Sequence, residues 1–432
     1  MSDTEYRSAS PQRHRWFDDW RGAQGAALTR LVAEVRSRVL DSEAAAGARR
    51  RKRRPIDEHH HRLAVEVVVA NLAHAVLMPP DTGRLALLTR NGERGRTRYE
   101  NPALGKPLRT LLFLLSEVGL LDLRGDGRRG EASSIAPMDV FARRIRSLGI
   151  GLGDFRRLPK EETIILTRKS RGRWSPFETP SVSRTLVDYA ETAETTAMRD
   201  RLARINAHVE TASVAFVDDG RGTVDQHDRT QRRHFTTTEG TDVPSFDRTG
   251  RFFGGFWQNL GSDRRQAIRI DGEGVADLDY ASLYPRLAFA SVGIEPPSTD
   301  LYAITGLGGH RDAVKRAMNC LLMDDFTRRS RPAEFTGLIP DGWTVAKVRE
   351  AILRHHPALA PCLGIGLGLR LMKTESDILL VVLEEMRARG IVGLGLHDGL
   401  MVASSRVDEA RSLMEVVGRE ISLVHLPVTR KA

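Results

Sequence analysis

Two short apolar segments, each with an aspartate at its edge, constrain this chain more than any other feature. The first runs Asp277-Leu278-Asp279-Tyr280-Ala281-Ser282-Leu283-Tyr284-Pro285-Arg286, with Val275 and Leu278 leading into Asp279. The second runs Leu394-Gly395-Leu396-His397-Asp398-Gly399-Leu400-Met401-Val402. Apolar runs of this length, bounded by turn residues, predict strands. Two carboxylates at the ends of neighbouring strands can hold a pair of Mg²⁺ ions, which also take oxygens from substrate phosphates. Two such ions about 3.5–4 Å apart activate a hydroxyl and stabilise a leaving phosphate. Asp279 and Asp398 are therefore the candidate metal ligands and catalytic residues, with Mg²⁺, or Mn²⁺ in its place, as cofactor. Taken alone, Asp398-Gly399 between apolar runs is also an ordinary hairpin turn.

A second constellation supplies positive charge. Arg311 and Lys315 are four residues apart, so a helix puts them on one face, which Asn319 continues. Such a face suits an incoming triphosphate, with arginine as a fork and lysine as a point charge. Phosphoryl transfer asks little of a protein beyond positioning and charge neutralisation.

Taken in order, these pieces resemble the palm and fingers of family A DNA polymerases and the related single-subunit phage-type RNA polymerases, over about residues 249–402. Thr249-Gly250-Arg251 followed by Gln258-Asn259-Leu260 is similar to the family's T-G-R … N-L-Q segment. Asp279 to Arg286 resembles motif A, D-Y-S-Q-I-E-L-R, and its Leu-Tyr-Pro is closer still to the family B form D-x-x-S-L-Y-P. Arg311-x-x-x-Lys315 resembles the start of motif B, and Thr374-Glu375-Ser376-Asp377-Ile378 the Q-G-T-A-A-D-I segment. His397-Asp398-Gly399 resembles motif C, V-H-D-E. The resemblance implies that the Tyr280 carbonyl adds a metal ligand. It also implies that Arg311, Lys315 and Asn319 face the nucleotide. Tyr284 takes the place of the family's glutamate, where a bulky side chain crowds a ribose 2′-hydroxyl. Arg251, Asn259 and His397 fall on the nucleic acid. The chain departs from the family at three points: Gly399 replaces the motif C glutamate or serine, and Asn319 and Met323 replace aromatic residues. The short spacings between motifs imply reduced fingers.

The bulk properties fit a nucleic-acid partner. The net charge is +10 and the pI near 10.0, which points to a polyanion. No apolar run approaches the roughly 20 residues of a membrane span, and no signal-peptide core opens the chain, so no membrane partner is expected. Cys320 and Cys362 are the only cysteines, which excludes a disulfide framework or a cysteine zinc site and fits a reducing cytoplasm. No clustered D-x-E signature precedes the palm-like region, so no proofreading exonuclease is expected.

The expected fold class is α+β: a polymerase-like palm, an antiparallel sheet with helices, and reduced fingers behind a mainly helical amino-terminal region. Residues 1–58 read as a basic, partly disordered segment with a helix from Ala26 to Val39 and the block Arg49 to Arg54. That block reads equally as a phosphate contact or a solvated linker. His59-His60-His61 reads as surface polarity. Residues 59–150 read as helical: Leu63–Leu77, Pro107–Val118, then a hairpin through Leu120–Leu123 with Arg128 and Arg129 at its turn. A winged helix-turn-helix and an ordinary small helical domain both fit. Residues 151–244 read as a connector or thumb-like region, with a strand at Glu162–Thr167, a long helix from Ser181 to about Val209, and a loop over 218–248. Residues 245–432 hold the palm and fingers. There Phe252, Phe253, Phe256 and Trp257 cluster, at least two of them as core, and aromatics among Arg251, Arg264 and Arg265 suit stacking on bases. Helices are expected at Ser376–Arg389, capped by Gly390, and at Val407–Val417, and a last strand at Leu423–Val428.

The leading expectation is a template-directed, DNA polymerase-like nucleotidyltransferase acting on DNA primer and template with nucleoside triphosphates, in a phage, plasmid or other mobile element. The alternative is a DNA-binding replication initiator or regulator with a catalytically inactive palm, which the Gly399 and fingers departures favour. RNA polymerisation or primer synthesis leaves the sugar open.

Overall fold

The computed structural model describes residues 15–45, 47, 51–87, 97–105, 107–125, 132–171, 182–237, 243–323 and 342–431. The chain divides into two compact units, Met1–Glu162 and Thr163–Ala432, and the class is α+β with mostly antiparallel sheets. No helix among the described residues is long and apolar enough to cross a membrane.

The first unit runs β1 (Arg15–Trp16), β2 (Arg21–Ala23), α1 (Ala26–Ala45), α2 (Pro55–Leu77), β3 (Leu85–Leu87), α3 (Pro107–Glu117), β4 (Leu121–Arg124), β5 (Ser133–Pro137), α4 (Asp139–Ser147) and β6 (Phe155–Arg157). Helix α2 starts at Pro55, where the missing N–H costs nothing. It is buried almost continuously from Ala64 to Ala75, so it forms the unit's centre. Leu28, Leu31, Val35 and Val39 of α1 and Leu108, Leu111, Leu112 and Leu115 of α3 complete that core. The hairpin expected after the second helix is β4–β5, in a sheet of order β1-β3-β5-β4. Arg128 and Arg129 lie outside the described residues. The basic block is neither a free phosphate contact nor a solvated linker at Arg53. Its side chain is 7% exposed and forks onto Glu43 at 2.6 and 2.7 Å, because a buried guanidinium needs a carboxylate partner. His61 turns partly inward, 4.0 Å from Glu43, while His59 stays at the surface.

The second unit runs β7 (Ile164–Arg171), β8 (Val182–Leu186), α5 (Ala193–Thr211), β9 (Val214–Phe216), β10 (Gln231–Thr237), β11 (Thr249–Gly254), α6 (Ser262–Arg265), β12 (Ile268–Ile270), β13 (Glu273–Tyr280), α7 (Leu283–Ser291), α8 (Arg311–Met323), α9 (Val345–His355), α10 (Gly368–Ala388), β14 (Leu394–Leu396), β15 (Gly399–Ala403), α11 (Val407–Ser422) and β16 (Val428–Arg430). One sheet has the order β14-β15-β13-β12-β9, with β16 also paired to β13. All its pairings are antiparallel. The other has the order β11-β10-β7-β8. Its β10–β7 pair is parallel, so a purely antiparallel unit is not what forms.

Three local expectations are corrected here. The expected helix 181–209 splits into β8 and α5, because Thr192 stops it: its hydroxyl accepts from the Thr195 N–H at 3.1 Å, capping a helix that begins at Ala193. The expected loop 218–248 contains β10. Its inward residues Gln231, Arg233, Phe235 and Thr237 are buried although three are polar, so alternation of apolar residues could not reveal it. The last strand is Val428–Arg430, not Leu423–Val428. Leu423 instead ends α11 in the left-handed region at φ 63°, and Pro427 offers no N–H to a ladder. The expected stop at Gly390 holds: α10 closes at Ala388, and Gly390 lies at φ 68° with its N–H on Arg387 O at 3.0 Å.

Arg229 fastens the end of α5. Its guanidinium donates to Val209 O and Glu210 O at 3.2 Å, Ala212 O at 2.9 Å and Val214 O at 2.6 Å. These carbonyls lie in the last turn of α5 and just beyond it, where helical N–H donors run out. Arg229→Gln should destabilise the protein by about 2 kcal/mol, read as a lower urea midpoint at unchanged slope.

Candidate functional site

Strand β13 delivers Asp279 to the end of its sheet, and the β14–β15 hairpin delivers Asp398 beside it. Asp279 pairs with Gly399 across the ladder, and Asp398 sits with His397 in the two-residue turn. The Tyr280 N–H donates to Asp398 O at 3.3 Å, which ties turn to strand. The two carboxyl groups lie close enough for the Asp398 charge to act on Asp279. The hairpin is aimed from outside: Trp257 Nε1 and Gln258 Nε2 both donate to Gly395 O at 2.9 Å.

The electrostatics follow from that approach. Burial, then the Asp398 charge, push the Asp279 carboxyl up to about 7, against the opposing pull of Lys431. Lys431 Nζ lies 2.7 Å from Asp279 Oδ2. Among the described residues the other oxygen, Oδ1, is buried with no donor. A pair of crowded carboxylates with an unpartnered oxygen is a poor resting arrangement and a good cation seat. Among the described residues no three His, Cys, Asp or Glu side chains form a metal cage. A divalent ion held here would therefore take its remaining ligands from substrate oxygens and water, as Mg²⁺ commonly does. The donor set fits the ion on those terms.

Tyr280 turns its ring away from the pair, its phenol donating to Met414 O of α11 at 2.6 Å. Ser282 then reverses the chain in the left-handed region at φ 54°, a costly conformation for a residue with a Cβ. This one-residue reversal starts α7 directly after the strand and brings Tyr284 alongside. There the expectations are revised. Tyr284 does not stand free beneath a sugar, and Arg251 is not free for a nucleic-acid backbone. Both are bonded to Glu375 of α10: Arg251 Nη2 donates to Glu375 Oε2 at 3.0 Å, and the Tyr284 hydroxyl donates to the same oxygen. Arg251 Nη2 also donates to the Tyr284 hydroxyl. The reason is Glu375, whose side chain is 1% exposed. A carboxylate buried so deeply requires a cation and hydrogen bonds. Burial still raises its pKa, with Asp398 adding to the shift.

The cationic helix face lies on α8. Arg311 is bonded to Asp300 at 2.6 and 3.1 Å, and its guanidinium lies 5.1 Å from the centre of the Tyr302 ring. Burial pushes the Tyr302 phenol up to about 12. Lys315 is exposed and Asn319 half-buried on the same helix. Among the described residues, no hydrogen bond or ion pair joins either to the cluster. Asn259 is exposed at the end of the 3₁₀ turn Phe256–Asn259. His397 is exposed at the hairpin tip. Its ring centre is 5.8 Å from that of Phe253.

The site thus gathers Asp279, Asp398, Tyr284, Arg251 and His397, with Arg311 at its edge. Sequence reasoning missed Glu375 as the anchor, Lys431 as a cation on Asp279, Tyr302, and the clamp formed by Trp257 and Gln258. Only Glu375 carried a signal, as one of two acidic residues in the segment Thr374–Ile378. The others are set by tertiary pairing. No protein-family model matches the chain, and no curated protein matches it.

Proposed function

We propose that the second unit is a template-directed nucleotidyltransferase that extends a 3′-hydroxyl with nucleoside triphosphates, built like the palm and reduced fingers of a family A polymerase. The observation that carries this reading is the convergence of Asp279, near the end of β13, and Asp398, in the turn that leads into the paired strand β15, with one buried carboxylate oxygen unpartnered among the described residues. Asp279 and Asp398 would hold Mg²⁺. Bound there, the metal supplies activation of the hydroxyl and neutralisation of the leaving pyrophosphate. Arg311, freed from Asp300, and Lys315 would meet the triphosphate. The Glu375–Arg251–Tyr284 cluster would hold the Tyr284 ring in one orientation, so that in this reading Tyr284 bounds the sugar as a held wall and not as a free side chain. Primer extension on a primed single-stranded template, with Mg²⁺ and either dNTPs or rNTPs, is the test. Extension by the wild-type protein is the expected result, and the preferred nucleotide identifies the sugar. No extension with either set sinks the reading.

One observation favours the second reading, a nucleic-acid binder with a retired site: the Lys431 ammonium already neutralises Asp279. In the enzyme reading this lysine is a removable stand-in for part of the metal's charge. Lys431→Ala should then bind Mn²⁺ about tenfold tighter, the worth of one charge-assisted hydrogen bond. Electron paramagnetic resonance of free Mn²⁺ reads this directly. Failure of both proteins to bind Mn²⁺ favours the retired site.

A further inference from the structure

The sheet β11-β10-β7-β8 has one face packed on helices α10 and α5 and one face turned outward. On β10, Arg232 and His234 alternate with the buried Gln231, Arg233 and Phe235 and so point outward. Phe253 of β11 lies directly opposite Arg232 and is 42% exposed. Its ring stands edge-on between two imidazoles, 4.8 Å from His234 and 5.8 Å from His397 by ring centres. His397 adjoins Asp398, so the exposed ring is continuous with the carboxylate pair.

Farther across the same sheet, Lys169 and Arg184 are directly opposed on β7 and β8, and both are exposed. Like charges in that position destabilise a sheet, and a bound polyanion removes the penalty. They lie two to three strand spacings across the sheet and six residues along it from Phe253, about 20–25 Å away. Burial, with Arg232 and Arg184 adding their charge, lowers His234 to about 4, so at neutral pH it is an uncharged neighbour to the ring. The pattern is one exposed aromatic ring, next to the reacting groups, on a sheet face whose charged residues are basic.

We infer that this open sheet face binds single-stranded nucleic acid, with one unpaired base stacked on Phe253 and the backbone crossing toward Lys169 and Arg184. Aromatic rings accept any base, and cations track the phosphates, so the face is tolerant of sequence. The inference deepens the proposed function and rests on it for the identity of the strand as template or primer.

The test is fluorescence anisotropy of a labelled oligothymidylate of roughly a dozen nucleotides, using the full chain in EDTA at about 0.2 M salt, where non-specific phosphate contacts are weak. Phe253→Leu should weaken binding about tenfold, and Phe253→Trp should bind at least as tightly as wild type. Lys169→Ala combined with Arg184→Ala should reduce the slope of log affinity against log salt by about 1.4. Circular dichroism confirms the fold of each variant, and the exposed position of Phe253 makes all of them tolerable. Wild-type affinity in Phe253→Leu overturns the inference. So does a tryptophan variant as weak as the leucine one, which marks a packing role. Phe253-dependent binding without any primer extension removes the enzyme reading and leaves this face standing. Extension with Phe253-independent binding does the reverse.

Discussion

Asp279→Asn and Asp398→Asn should each lower primer extension by at least about a thousandfold, since each removes half of the carboxylate pair on which metal-assisted transfer depends. A pH series separates this from damage to the fold. The folded-state pKa of Asp279, about 7, lies above its ordinary 3.8. The folded chain therefore holds this proton more tightly than the unfolded chain does. The stability it contributes is whole below the ordinary value and is lost as pH rises through the folded value. In EDTA, the wild-type melting temperature should accordingly fall relative to that of Asp279→Asn between about pH 4 and pH 7, then run parallel above it. The variant should be dead yet no less stable at neutral pH, a trade common where function gathers like charges. A wild-type-minus-variant difference that is flat with pH contradicts the crowded pair, and retained extension contradicts the role.

Gly399→Glu should not improve the site but unfold its sheet. Family A DNA polymerases carry glutamate here, so the substitution restores the resemblance. The backbone forbids it: a Cβ on Gly399 would stand 2.0 Å from Leu278 O and 3.1 Å from Asp279 Oδ1. The first neighbour is main chain of the paired strand and cannot rotate away. Gly399→Ala alone should cost about 3 kcal/mol or more, lowering the melting temperature by roughly 10 °C for a unit of this size. Gly399→Glu should fare worse, adding a third carboxylate to a crowded pair. Differential scanning calorimetry of both variants checks the order. A stable glutamate variant with raised extension would falsify this close-approach account.

The sequence made the carboxylate pair legible because each aspartate ends an apolar strand, and strand ends converge when the strands pair. The helix face of Arg311, Lys315 and Asn319 was legible from its spacing, and α8 carries it. What each of those side chains touches was not legible. Arg251 and Tyr284 were read as ligand contacts from the resemblance, which says nothing of the side chain that holds them here. Their partner Glu375 lies on α10, more than 90 residues beyond either in the chain. Strand β10 was hidden because its core positions include Arg233, which is buried by bonds to Gly250 O, Ser376 Oγ and Asp377 Oδ1 at 2.9, 2.8 and 3.0 Å. A hydropathy pattern cannot see a core position filled by a satisfied guanidinium. Phe252, Phe256 and Trp257 are buried, as the density of aromatics suggested, while Phe253 beside them is not.

Strand β13 is laced on both edges at Asp279, facing Gly399 on one side and Thr429 on the other. Its carboxylate is therefore anchored to backbone that can open only when two ladders part together. Asp398 has a slighter anchorage: it sits in a hairpin turn held to β13 by the single bond from Tyr280 N–H to Asp398 O and steadied from behind at Gly395 O. The two acids differ in mobility as a consequence. One is a fixed post, and the other can advance or withdraw by flexing a two-residue turn. Any gating of this site, by substrate arrival or product departure, falls to the second acid and to the aromatic ring of Phe253 that its neighbour His397 touches.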